Sequence, residues 1–319
     1  ILDAGHSLNK AVRQDGKEVV FPHALVELSE AIYKQSIARK TGEQEAQDLL
    51  CITIDHVKRY FAIGDLAYAM GNVHKYSGAD RYKRDYYAVF ALAAILRLYP
   101  TTTNIDVALF ASHPPLHVDY TDELIACIAG RWLVEWGGRS YTIHIGNVAV
   151  YDEPTGGLFN VVLNKAGTKY QNPELNTNNV LVIDIGGRTT DYIVVNEGAI
   201  LYTLAHTEDT GIMDVINDFK RMFAQRYKHQ TRSMNSIPTA RLVEAIRTGS
   251  FRGGGKLWEA QEEAVQARTR LINSILQSYK DIFGGAMRYD AILLTGGGSA
   301  FLCDHLWDVL EHDNIILAA

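Results

Sequence analysis

The stretch Val182-Ile183-Asp184-Ile185-Gly186-Gly187-Arg188-Thr189-Thr190-Asp191-Tyr192-Ile193-Val194-Val195 decides how the whole chain is read. It opens as an apolar strand, breaks at paired glycines, and returns as a second strand beside the first. The turn is polar, is flanked by two carboxylates, and has no side-chain bulk at Gly186 or Gly187. Backbone N–H groups at such a turn approach an oxyanion closely. A carboxylate ending the first strand is suited to hold a hydrated Mg²⁺ against a phosphate. The same residues also fit an ordinary hairpin with a Gly-Gly turn, and this stretch alone leaves both readings open.

A second copy of the pattern tips the balance. The chain begins Ile1-Leu2-Asp3-Ala4-Gly5-His6-Ser7-Leu8-Asn9-Lys10, again an apolar strand, an Asp, and a Gly two residues on. Aligning Asp3 with Asp184 places Gly5 on Gly186, Leu8 on Thr189, Asn9 on Thr190 and Lys10 on Asp191. Two such hairpins in one chain suggest a duplicated fold whose halves serve one nucleotide. A third glycine turn, Leu294-Thr295-Gly296-Gly297-Gly298-Ser299-Ala300, follows the apolar run Ile292–Leu294 and precedes a helix-like segment. Its N–H groups are expected at a helix start, a natural anion site.

With these three sites in this order, the chain resembles the actin-like ATPases of the actin, heat-shock chaperone and sugar kinase superfamily. Within it the chain is similar to the ParM/StbA type, the plasmid-segregation actins. The resemblance implies an α/β chain with the actin-like ATPase fold, two duplicated ribonuclease-H-like domains around a nucleotide cleft. It implies domain I over 1–176, with a small insert at about 13–84 and completion by a C-terminal helix at 301–319. Domain II then covers 177–300, with a small insert at about 212–256. Asp3, Gly5 and Lys10 look like the phosphate-1 loop, with His6, Ser7 and Asn9 as further donors. For His6, contact with phosphate and exposure to solvent both remain open. Asp184, Gly186, Gly187, Arg188, Thr189 and Asp191 look like phosphate-2, and Gly296, Gly297 and Gly298 like the adenosine motif. Asp3 and Asp184 are the implied Mg²⁺ ligands, acting largely through water.

Between the phosphate loops, a strand over Tyr141–Tyr151 runs into Asp152-Glu153-Pro154-Thr155-Gly156-Gly157. In the resembling actins a Glu or Gln here positions the attacking water; Glu153 matches, with Asp152 beside it and Asp184 assisting. Glu153 also reads as a helix-start carboxylate set against the helix dipole. Farther on, Glu208, Thr210 and Gly211 form a polar turn before a helix and resemble the family's segment near the nucleotide sugar and base.

Composition bounds the rest. The 319 residues are 47% hydrophobic and 21% charged, enough for two domains with their own cores. A net charge of −6 gives no basic footprint for nucleic acid, so contact with DNA is expected only through an adaptor. Cys51, Cys127 and Cys303 lack metal-ligand spacing and read as reduced thiols of a cytoplasmic protein. No apolar run reaches the ~18–20 residues of a membrane span. The chain starts inside a strand without Met, so a few residues are expected before it, and it stops on an apolar run, so a longer C-terminus is expected after it.

Several elements are expected from periodicity: a buried helix over Tyr86–Tyr99, a strand over Thr103–Ala111, and single helices over Thr121–Trp136, Trp258–Phe283 and Phe301–Glu311. Gly253-Gly254-Gly255-Lys256 superficially suggests a P-loop, but Ser250 and Leu257 stand where a glycine and a hydroxyl residue are needed. The expected function is a nucleotide-dependent, filament-forming ATPase using Mg-ATP, or GTP, that segregates plasmid or similar DNA through a DNA-bound adaptor. Its expected partners are further copies of itself, head to tail, and that adaptor, without a membrane. The alternative is a small-molecule, sugar-type kinase of the same superfamily.

Overall fold

Val180–Ile183 and Ile193–Val195 are branched and apolar on both faces, the composition of a strand covered from both sides. In the computed structural model each of these residues is 1% exposed or less. The structure describes residues 1–5, 8–38, 47–71, 73, 78–164, 168–227, 237, 239–253, 255–285 and 288–318. The chain divides into two units, Ile1–Glu153 and Pro154–Ala319.

Among the described residues the first unit has one nine-stranded sheet. Its strands are β1 (Leu2–Ala4), β2 (Leu8–Val12), β3 (Glu18–Pro22), β4 (Leu25–Leu28), β5 (Leu49–Ile54), β6 (Val57–Ile63), β7 (Asn104–His113), β8 (Gly130–Trp136) and β9 (Arg139–Asp152). They are ordered β3-β2-β1-β7-β9-β8-β5-β6-β4. The helices are α1 (Glu30–Ala38), α2 (Gly64–Met70), α3 (Tyr87–Leu98) and α4 (Thr121–Ile128). Apart from Arg97, α3 is apolar on every side, which a helix tolerates only when enclosed, and every residue of it except Arg97 is buried. It fills the main core with Leu2, Phe61, Ile143 and Ile145.

The second unit takes up the chain at Pro154, inside α5 (Glu153–Val162). Its larger sheet contains β10 (Asn179–Ile185), β11 (Thr190–Asn196), β12 (Ala199–Ile200), β13 (His206–Glu208), β16 (Ala291–Thr295) and β17 (Ile315–Leu317). A separate hairpin pairs β14 (Ser250–Gly253) with β15 (Lys256–Glu259). The remaining helices are α6 (Ile212–Arg226), α7 (Thr239–Thr248), α8 (Gln261–Asp281) and α9 (Gly296–Leu310). Alternation along β10 sends Leu181, Ile183 and Ile185 into a core with Phe219, Phe223 and Ile275. Val180 and Val182 go to the opposite face, against Leu158 and Val162 of α5. The sheet is thereby covered on both sides.

The two units share a strand order. In the first, β3-β2-β1 form an antiparallel meander, and β7 and β9 lie parallel beyond β1. In the second, β12-β11-β10 form the meander, and β16 and β17 lie parallel beyond β10. The duplicated α/β fold expected from the repeated hairpin is therefore present.

Three expected helices differ from the structure. Over Thr121–Trp136 the helix stops at Ile128, and Gly130 turns the chain at a φ of +114°, a left-handed value that glycine adopts without steric cost. The next residues alternate, with Trp132, Val134 and Trp136 buried and Leu133 exposed, and form β8. Over Trp258–Phe283 the first residues instead pair as β15, and α8 starts at Gln261. The last helix starts at Gly296 rather than Phe301. Among the described residues no helix is long and apolar enough to cross a membrane.

Candidate functional site

Parallel strands bring their carboxyl ends to one edge of a sheet, where side chains and loops gather into sites. In the first unit Leu2 is in register with Ala111, and His113 with Asp152, so the residues after them share that edge. Asp3, His113, Asp152 and Glu153 are thus grouped by topology. His113 Nδ1 lies 2.9 Å from the Pro114 carbonyl and 3.6 Å from Asp152 Oδ1, while its Nε2 meets the Thr121 hydroxyl at 2.9 Å. These contacts tie down the strand end from which Glu153 departs. In the second unit Asp184 is in register with Thr295, at the matching edge.

The two Asp-x-Gly hairpins share a cross-strand register. Asp3 pairs across its hairpin with Lys10, and Asp184 with Asp191, the positions that the sequence alignment equates. A Cβ on Gly5 would lie 3.2 Å from the Leu8 carbonyl oxygen; on Gly186 it would lie 3.1 Å from that of Thr189. Leu8 and Thr189 are also aligned positions, so each turn is equally tight at its glycine. In the second turn the Gly186 N–H donates to the Thr189 carbonyl at 2.9 Å. His6 and Ser7 lie outside the described residues.

The electrostatics of the two hairpins differ. Burial pushes the Asp3 carboxyl above its ordinary range, against the pull of Lys10 and Arg81. Lys10 itself is exposed. Asn9 is fully buried; its amide donates to the Pro22 carbonyl at 3.3 Å, and its oxygen meets His23 Nδ1 at 2.8 Å. Asp191 is buried and accepts from the hydroxyls of Thr189 at 2.9 Å and Thr207 at 2.6 Å. Arg188 is exposed at the tip of the second turn.

The adenosine-type turn packs directly on phosphate-2. Gly296 has a φ of +84°, and a Cβ there would lie 2.2 Å from Asp184 Oδ1 and 2.5 Å from the Ile185 carbonyl oxygen. One on Gly298 would lie 2.4 Å from Ile185 Cγ2, whereas Gly297 is open. These glycines begin α9, whose cap residue Thr295 makes no side-chain cap hydrogen bond. Donors at the start of a helix lack intrahelical partners. Gly211 works in the same way: a Cβ there would lie 2.8 Å from backbone atoms of Gly187 and Arg188. That close approach lets Ile212 and Met213 donate their N–H groups to the Gly186 and Gly187 carbonyls at 3.2 and 2.8 Å. Glu208 accepts from the hydroxyls of Ser274 at 2.8 Å, Tyr192 and Thr210 each at 3.3 Å, and Ser278.

The residues present fit a nucleotide phosphate with Mg²⁺. In each unit, taken by itself, a tight glycine turn presents backbone beside a half-buried carboxylate at a strand end, and oxygen donors suit that cation. Motif reading missed Arg81, which is 2% exposed and donates from Nη2 to the Ala4 carbonyl at 2.6 Å. Its Nη1 is buried with no acceptor in the structure.

Comparison with known proteins places this architecture. Residues 2–156 match the family of actin-like proteins at their N-terminal domain, and residues 182–308 match the C-terminal part of archaeal MreB-like actin homologues. The two matches take in both hairpins and the third glycine turn, and the chain belongs to the actin-like proteins. No curated protein matches it by sequence.

Among solved structures the chain is similar to an archaeal actin homologue in complex with ADP, at 19% identity and a TM-score of 0.73, covering 99% of this chain and 91% of the other. A ParM from a 15-stranded Clostridium botulinum filament aligns at 17% identity and a TM-score of 0.73, covering 99% and 93%. Bacillus thuringiensis ParM with ATP aligns at 14% identity and 0.73, covering 99% and 92%. At these identities the likeness establishes the actin-like fold.

Proposed function

We propose that this chain is a filament-forming ATPase that binds Mg-ATP, or GTP, and uses its hydrolysis to time the life of a polymer. The observation that carries this reading is the repeated hairpin, with Asp3 opposite Lys10 in one unit and Asp184 opposite Asp191 in the other. Each unit so provides a glycine turn and a strand-end carboxylate, the groups that phosphoryl transfer asks for. In this reading the backbone at Gly5, Gly186 and Gly187 and the Lys10 ammonium hold phosphate oxygens. Asp3 and Asp184 would hold Mg²⁺, largely through its waters, and its charge would offset that of the phosphate. Glu153 accepts a hydrogen bond from the attacking water and aligns it. Glu208 and Gly296–Gly298 take the nucleoside end.

The actin-like relatives include a ParM filament, which supports self-assembly by a head-to-tail contact. An interface of that kind does not close on itself and generates a helical polymer. The net charge of −6 disfavours direct binding to DNA, so we assign cargo attachment, of plasmid or similar DNA, to a separate DNA-binding adaptor in the cytoplasm.

The test is right-angle light scattering with pelleting and phosphate release, on purified protein with Mg-ATP, with Mg-ADP and without nucleotide. A rise that requires the triphosphate and decays as phosphate appears supports the proposal. ATP consumption only on addition of a sugar or another acceptor, with nothing sedimenting, makes the chain a small-molecule kinase instead.

A further inference from the structure

Arg81 ends the 3-10 turn Gly78–Arg81 in the first unit, within the charged run Asp80–Arg84. The fold buries it to 2% exposure. Its Nη2 is committed to the carbonyl of Ala4, the residue before Gly5, while its Nη1 is buried without an acceptor. Buried donors are nearly always satisfied, and an orphan on a permanent cation calls for an explanation such as an absent anion. Two carboxylates act on this guanidinium, Glu153 and Asp3. Burial opposes its charge, but Glu153, with smaller help from the rings of Tyr82, Tyr87 and Tyr86, holds it above its usual range. The side chain therefore stays charged where the phosphate-1 turn, Asp3 and Glu153 come together.

We propose that Arg81 is a phosphate-binding residue, whose Nη1 donates to the terminal phosphoryl group of a bound nucleoside triphosphate while Nη2 braces the phosphate-1 turn at Ala4. The inference rests on the nucleotide-binding reading given above. It assigns the terminal rather than an inner phosphate because Arg81 is held on Ala4, at the strand edge where Asp152 leads into Glu153, the group given to the attacking water. Lys10, the cation of the hairpin itself, is exposed, so Arg81 is the cation already stripped of water and strengthened by a low-dielectric setting. Its planar fork serves the turn and an anion together, which a lysine ammonium does less well.

The experiment compares binding of a non-hydrolysable ATP analogue and of ADP, each with Mg²⁺, to the full chain by calorimetry. Wild type, Arg81→Lys and Arg81→Met are measured, and each apo protein is melted alongside. Arg81→Met is expected to weaken the triphosphate by about 10- to 100-fold and to leave ADP within about twofold, as for loss of a charge-assisted hydrogen bond. Arg81→Lys should fall between. If Arg81→Met does not fold, the same ratio in Arg81→Lys decides. Equal loss for both nucleotides, or a lower melting temperature with the affinity ratio unchanged, makes Arg81 a structural brace and overturns the proposal while leaving nucleotide binding intact. Wild type that binds neither nucleotide overturns the nucleotide reading, and this inference falls with it.

Discussion

Gly296 stands against Asp184 with no room for a side chain between them: a Cβ at 296 would lie 2.2 Å from Asp184 Oδ1. The contact joins two motifs far apart in the sequence, through the parallel pairing of β10 with β16. Gly296→Ala adds this clash to the cost of a positive φ and is expected to lower stability by about 2–5 kcal/mol. Gly297→Ala meets nothing within 4 Å and should leave the melting temperature unchanged or slightly raised. Thermal unfolding of the two variants side by side checks both.

Glu153→Ala should bind nucleotide with near wild-type affinity but hydrolyse it about 10²- to 10⁴-fold more slowly, the usual worth of a positioned acid or base. In the scattering assay its polymers should persist after wild-type polymers have decayed. Unchanged phosphate release would return Glu153 to the role of a helix-start carboxylate.

Asn9→Ala separates packing from phosphate contact. The Asn9 amide is fully buried between Pro22 and His23, and His23 Nε2 also meets the Tyr86 hydroxyl at 2.9 Å. Removing it takes partners from buried polar groups and is expected to cost about 1–3 kcal/mol in chemical denaturation. A variant of wild-type stability with weakened nucleotide binding would assign Asn9 to the phosphate.

The three thiols should react unequally. Burial raises the Cys51 thiol to about 11 and the Cys127 thiol to about 12, and both are shut from solvent. The thiolate is the nucleophile, and it forms only as pH climbs toward those values. Cys303, also raised by burial, is partly accessible. Iodoacetamide at pH 8 should therefore label Cys303 alone in the folded chain and all three cysteines in denaturant, read by intact mass. Native labelling of Cys127 would contradict the burial of α4 against its core.

Much of the fold was legible where local pattern and tertiary outcome agree. The run Val182–Val195 forms the hairpin its residues suggest, and the alignment of Lys10 on Asp191 reappears as equivalent cross-strand positions. α3 was legible because apolar residues at helical spacing fill Tyr86–Tyr99, Arg97 being the one charged residue, and such a helix has to be enclosed. β8 was misread because Thr121-Asp122-Glu123 reads as a helix start and apolar residues recur from Leu124 through Trp136. The available signals were Gly130 and the alternation of Trp132, Val134 and Trp136. Arg81 had no local signal, since its burial depends on contact with Ala4, 77 residues away. Gly211 was chosen for its place before a helix, yet its backbone contact with Gly187 and Arg188 is visible only in three dimensions.

The hydrogen bonds from Ile212 and Met213 to the Gly186 and Gly187 carbonyls make the phosphate-2 turn and α6 mechanically one piece. α6 is 15 residues long, hence a rod of about 22 Å. Its far end carries Phe223, whose ring packs edge-on against Phe251 and Trp258 of the β14–β15 hairpin. A tilt of about 5° at the turn would sweep that end through about 2 Å over such a length. The turn is thus the short arm of a lever whose long arm ends in an aromatic bearing.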